Sequence, residues 1–307
     1  MIVDARAEAW ARLQVAGPAP RALFDLLRAF GSAQGVLDAS SAQRRRHVPP
    51  EAAALLDASP DAARLEAALA WLREPGHELI AWDDPGYPRA LLEITDPPPV
   101  FYAQGRRELL ATPAFALVGS RNATPQGCED AEAFAAALSA AGFTIVSGLA
   151  LGIDAAAHRG GLRHAASSIA VIGTGPDRIY PARNRDLAHK LAANGLVISE
   201  FAPGTPPLKQ NFPRRNRLVN APEKVVAELQ GSRHLEGRYL AAERVARPKD
   251  PADRAVLSSC VARLEDDQHR VSGVGIQGRL QLAEPFEQLL RFGLQLVIVR
   301  ELRRPRR

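Results

Sequence analysis

The segment KQNFPRRNR, Lys209–Arg217, places four cations and one aromatic ring within nine residues. Lysine and arginine neutralise phosphates, and an aromatic face stacks on an unpaired base. That combination suits a single nucleic-acid strand. Lys209, Phe212, Arg214, Arg215, Asn216 and Arg217 are the candidate contacts. A cationic run can equally be a solvated surface. Here it follows an apolar run and a proline-rich loop, and Arg121 is expected on the same rim, which favours binding.

A second set of residues sits where short apolar runs end: Gly119-Ser120-Arg121, Ser147-Gly148, Gly173-Thr174-Gly175 and Ser199-Glu200. In open parallel sheets, ligands bind outside the carboxyl ends of the strands. Glycines there let another backbone approach, and hydroxyls and amides can hold phosphate oxygens. Gly119, Ser120, Ser147 and Gly148 are therefore candidates for a phosphate-binding edge. No G-x-G-x-x-G follows the first strand and no G-K dipeptide occurs, so neither NAD nor ATP is expected and no cofactor is implied.

The stretch SGLALGIDAAAHRGG, Ser147–Gly161, sets Asp154 and His158 four apart, on one helix face. No third ligand stands at metal spacing, and no G-x-S-x-G marks a nucleophile. Asp154 is read as complementing the helix N-terminus, with His158 hydrogen-bonded nearby. An acid at that position disfavours a bound phosphate. No catalytic residue and no metal site are expected.

These residues need a scaffold. Apolar runs at FALVGSR, FTIVSG, SIAVIGTG and LVISEF alternate with helical segments, the second beginning near Asp154 and the third, NRDLAHKLAANG, closing at Gly195. Such alternation predicts an α/β domain, a Rossmann-like parallel sheet with helices on both faces, over residues 112–218. Residues 1–75 read as a small helical domain with turns at Gly17 and Gly31. Its Arg44–His47 run reads as a solvated loop. Residues 76–111, rich in proline, read as an ordered connector. Residues 219–307 lose the alternation and form an atypical C-terminal region.

The chain has 307 residues and a net charge of +5, compatible with nucleic acid but not diagnostic, since only four of its 39 cations are lysine. Two cysteines, Cys128 and Cys260, make no disulfide framework and suit a reducing, cytoplasmic setting. No targeting segment and no membrane span are expected.

The blocks DDPGYPRALLEITDPPPVFYAQG, LVGSR, SGLALGIDAAAH, IAVIGTGPDRIYPARN, ISEF and FPRRNR, in that order and spacing, resemble the DNA-processing protein A family (DprA, also called Smf) from Asp83 to Leu218. The resemblance implies a cytoplasmic bacterial protein of natural transformation. Such a protein binds and protects incoming single-stranded DNA, assists loading of the RecA recombinase, commonly dimerises and has no enzymatic activity. It assigns DNA contact to Arg121, Lys209 and Phe212, with Arg214, Arg215 and Arg217 lining the same pocket. After Leu218 the sequence departs from the family pattern, whose missing blocks carry much of the dimer and RecA surface. A frameshift, a degenerate gene or an unusual tail each accounts for that. Two alternatives stand beside this reading: a nucleotide phosphoribohydrolase of the lysine-decarboxylase-like kind, which the absence of a P-G-G block disfavours, and a structurally compromised product.

Overall fold

The computed structural model describes residues 3–220, so all but the first two residues of the atypical region 219–307 lie outside the described residues. The chain opens with α1 (Ala5–Ala16), α2 (Pro20–Phe30), α3 (Ala33–Asp38), α4 (Ser41–Arg44), α5 (Pro50–Asp57) and α6 (Ala62–Leu72). The boundaries follow local chemistry. Asp4 caps α1 by accepting from the Ala7 amide at 2.6 Å, and Gly17 closes it with φ 79°. Pro20 opens α2, and Gly31 ends it in the left-handed region, also at φ 79°. One expectation fails here. Arg44 is buried, donating to the Val36 carbonyl at 3.0 Å and pairing with Asp57 at 2.7 Å. It ties α4 to α5 where a solvated loop was expected.

Six strands follow: β1 (His77–Ala81), β2 (Val100–Gly105), β3 (Ala114–Ala116), β4 (Thr144–Ser147), β5 (Ser168–Val171) and β6 (Leu196–Ser199). They form one sheet in the order β1-β2-β6-β5-β4-β3. The steps from β3 to β6 are parallel, with Phe115 opposite Ile145, Val146 opposite Ile169 and Val171 opposite Ile198. This is the Rossmann-like core, with α7 (Pro125–Ala140), α8 (Ile153–Gly161) and α9 (Arg185–Asn194) as crossovers and α10 (Asn211–Val219) after β6.

The segment expected as a connector, 76–111, supplies β1 and β2, both laid antiparallel, so the sheet is mixed. Between them the proline-rich loop is pinned by Tyr87, whose hydroxyl donates to the Pro98 carbonyl at 2.6 Å and whose ring meets Phe101.

Alternation along each strand divides the core into two faces. Leu79, Ala81, Val100 and Tyr102 face the N-terminal helices. Ile80, Phe101, Val146, Ile169, Val171 and Ile198 lie on the other face, together with Leu218 and Val219 of α10. A third cluster joins Ala170 and Val197 to Ala188 and Leu191 of α9. Helices therefore cover both faces, and the parallel strands send their carboxyl ends to one rim.

Candidate nucleic-acid interface

The rim is built from the loops after β3, β4, β5 and β6. Of the four residues expected to make a phosphate edge, only Ser120 is exposed, and its Oγ accepts the Asn122 amide at 3.1 Å. Ser147 is fully buried, and its hydroxyl donates to the Leu117 carbonyl at 2.6 Å. Gly119 lies under Ile153, whose Cγ1 stands 2.7 Å from the place a Cβ would take. Gly148 lies under Arg215, whose Nη1 would be 1.4 Å from such a Cβ. The glycines serve close packing within the protein.

The anion that these loops hold is the protein's own. Asp154, in the first turn of α8, is buried, and its Oδ2 accepts the Ala150 amide at 3.3 Å. Burial raises its pKa, while the Arg215 charge and the amides of Ala150, Gly119 and Gly148 pull the other way. The Asp154 carboxyl group thus stands among the strand-end amides, with the Arg215 charge nearby. Gly152 makes room for the turn: its φ is 74°, and a Cβ there would fall 2.2 Å from the Ser120 carbonyl oxygen.

His158 is equally committed. Its Nε2 accepts the Leu149 amide at 3.2 Å, so Nδ1 carries the proton and donates to Ser168 Oγ at 2.7 Å. Ser168 in turn donates to the Ile145 carbonyl at 2.8 Å. Burial first, and then the Arg215 charge, pushes the His158 pKa down to about 3. Asn184 donates to the carbonyls of Leu149 and Ala150 at 2.9 and 3.0 Å. These bonds fix Leu149 at φ 57°, in the left-handed region. The pair expected near the helix start is scaffold for the rim.

The cationic segment divides by helix face. Asn211, Arg215, Leu218 and Val219 are buried along one stripe of α10. Asn211 donates to the Gly173 carbonyl at 3.1 Å and fixes the start of the helix against the β5 loop. Burial lowers the Arg215 pKa, Asp154 opposes that shift, and nearby Arg121 adds to it. Arg217 bonds Glu200 at 2.5 Å and lies 3.5 Å from Asp96. Arg214 meets the other Glu200 oxygen at 3.0 Å and covers the Phe201 ring. The Glu200 side chain is only 2% exposed, and burial raises its pKa against the pull of Arg217 and Arg214. Arg214 and Arg217 are therefore tied to an internal carboxylate and Arg215 feels the charge of another, Arg214 remaining 44% exposed. Asn216 and Lys209 are exposed.

Arg121 and Phe212 meet. The Arg121 guanidinium carbon lies 5.9 Å from the centre of the Phe212 ring, within cation–π range. Phe212 also packs edge-on over Gly173, its Cδ1 3.1 Å from the place of a Cβ. Lys209 stands one turn ahead and accepts the Phe212 amide through its carbonyl. Arg121 is exposed and has no ion-pair partner among the described residues. Tyr180, which nothing in the sequence singles out, lies beside Phe212 with ring centres 5.8 Å apart. Of the four large apolar side chains that stay exposed among the described residues, Val118, Tyr180 and Leu208 belong to loops of this rim, and Leu55 lies elsewhere. The rim thus combines free cations with uncovered apolar surface.

Among the described residues no group of three or more His, Cys, Asp or Glu could hold a metal ion. No helix among them is long and apolar enough to cross a membrane.

Comparison with known proteins agrees with the fold. The family model for DNA recombination-mediator protein A matches residues 78–229, eleven residues beyond the Leu218 boundary read from the sequence. Protein Smf of Synechocystis sp. is 45% identical over 157 residues, which are 50% of this chain and 39% of that protein. The DNA processing protein DprA of Streptococcus pneumoniae is 44% identical over 136 residues, 44% of this chain and 48% of that one. A putative DprA of Mycobacterium tuberculosis is 35% identical over 234 residues, 72% and 59% of the two chains. The X-ray structure of DprA from Streptococcus pneumoniae superposes with a TM-score of 0.60 at 30% identity, covering 72% of this chain and 76% of that one. The matched segment spans less than half the length of the first curated relatives.

Proposed function

Because this chain belongs to the DNA recombination-mediator protein A family, we propose that it binds single-stranded DNA along the rim formed by Arg121, Phe212 and Lys209. Arg121 and Lys209 neutralise phosphates of the strand and release their counterions. Phe212 gives one base an aromatic neighbour. Ser120 and Asn216, both exposed, offer hydrogen bonds to phosphate or sugar oxygens. Arg215 sits beneath, its charge facing Asp154, and does not touch the ligand. Arg214 and Arg217 act as positioning residues, fastening α10 to β6 through Glu200. No bond is made or broken in this reading, so the protein acts by binding.

The observation that carries the proposal is Arg121 over Phe212, which joins the two segments singled out by composition. The phosphoribohydrolase alternative gains nothing from the strand-end amides, because those of Ala150, Gly119 and Gly148 already face Asp154. The wider role we infer is the one the resemblance implies: shielding incoming strands in the cytoplasm and helping RecA load onto them, as a homodimer. The test is fluorescence anisotropy with a labelled oligo(dT). Arg121→Ala and Lys209→Ala should each weaken binding. Parent-like affinity in both variants at low and moderate salt would discard the rim.

A further inference from the structure

Tyr180 is the one exposed phenylalanine, tyrosine or tryptophan among the described residues, at 51% of its full area. It belongs to the loop between β5 and α9, at the carboxyl edge of the sheet. Leaving a large ring in water forfeits burial free energy that the other rings here recover at least in part. The ring is nevertheless placed. Its centre is 5.8 Å from that of Phe212, with the planes tilted by 43°. Phe212 is the less available of the two, since it packs on Gly173 and lies beneath the Arg121 guanidinium. The larger free π-face of the rim is that of Tyr180.

The spacing excludes one arrangement. A base held between two rings needs about 7 Å, twice the ~3.5 Å contact distance of carbon atoms. Phe212 and Tyr180 are closer than that and touch each other, so they form one shelf and cannot clamp a base between them. The segment around Tyr180 also repeats the chemistry of the α10 segment. Arg178, Arg183 and Arg185 are all exposed within five residues of it. Arg183 and Arg185 have no ion-pair partner among the described residues.

We propose that Tyr180 is a second base-stacking platform, and that the bound strand runs from Arg121 and Phe212 across Tyr180 toward Arg183 and Arg185. This rests on the single-stranded DNA reading above and extends it from one segment to two. The strand's phosphates then meet cations on either side of an aromatic shelf that seats neighbouring bases on its outward faces.

The experiment uses the full chain, an oligo(dT) and the same oligonucleotide carrying 5-iododeoxyuridine. Tyr180→Ala should weaken oligo(dT) binding about tenfold, the effect of removing one stacked ring. Tyr180→Phe, which keeps the ring, should restore it. Irradiation of the iodinated complex should give an adduct that mass spectrometry maps to Tyr180, which a purely structural role would not produce. Parent-like binding by Tyr180→Ala together with no adduct at Tyr180, while Arg121→Ala still binds weakly, would overturn the second platform and leave the rim standing. No effect of either variant, or no binding by the parent, would overturn both.

Discussion

The guanidinium of Arg121 lies over the ring of Phe212, 5.9 Å from its centre, and brings the loop after β3 to the first turn of α10. Two segments distant in sequence therefore share one rim of the sheet. The other cations nearby are spent within the protein: Arg214 and Arg217 pair with Glu200, and Arg215 is buried within reach of the Asp154 charge. That division between free and committed charge separates the residues we propose to bind DNA from those that serve as scaffold.

The internal carboxylate makes a first prediction. Asp154→Ala removes the anion that Arg215 and the strand-end amides share, at a cost of about 3 kcal/mol as a buried charge is left without its partner. It also leaves an empty anion site. Sulfate at about ten times its dissociation constant should return about 1.4 kcal/mol to the variant. Thermal melting of parent and variant in sulfate against chloride measures this. An equal rise in both proteins would count against the internal-anion account.

How much of this was legible beforehand follows from where the partners lie. The parallel core was readable because strands buried on both faces are apolar throughout. β1 and β2 were not, since the prolines between HELIA and VFYAQG drew attention to the loop and away from the two apolar runs flanking it. Lys209–Arg217 was readable as cationic and aromatic, but the carboxyl groups that face three of its arginines come from α8, the residue after β6 and the β1–β2 loop. A helical wheel holds one missed signal: Asn211, Arg215, Leu218 and Val219 fall on one stripe, which puts Arg215 inside. Tyr180 carried none, because exposure of a lone tyrosine depends on tertiary packing.

Two glycines in the left-handed region separate strain from steric conflict. At Gly31 an added Cβ would meet nothing within 4 Å, whereas at Gly152 it would stand 2.2 Å from a backbone oxygen. Gly31→Ala should cost about 1 kcal/mol, the penalty of the conformation alone. Gly152→Ala should exceed it by about 2 kcal/mol or more, since overpacking adds to the strain. Urea midpoints of the two variants provide the comparison, and equal losses would contradict the close approach.

Glu200 and its two arginines differ in exposure, and their variants should differ with it. Glu200→Ala leaves Arg217, at 19% exposure, without its main partner and should cost about 3 kcal/mol. Arg214→Ala, at a side chain 44% exposed, should cost no more than about 1 kcal/mol. Chemical denaturation would refute the assignment if the order were reversed.

Acid should act through His158. Its pKa is pushed down to about 3 in the folded protein, so its contribution is fully present above the ordinary value of 6.5 and is lost as pH falls toward 3. The slope is at most about 1.4 kcal/mol per pH unit. Asp154 and Glu200, both raised, act with the opposite sign, their contribution lost as pH rises through their folded pKa. The His158 share is therefore read as the difference between the parent and His158→Gln. The parent should lose stability faster between pH 6 and pH 4; parallel profiles would refute the assignment.

The salt dependence of strand binding tests the central claim most directly. A plot of log K against log salt for oligo(dT) should have a negative slope in the parent. That slope should become shallower by about 0.7 in Arg121→Ala and by as much in Lys209→Ala, because each variant neutralises one phosphate fewer. Slopes that stay identical in all three proteins would contradict a strand held at this rim.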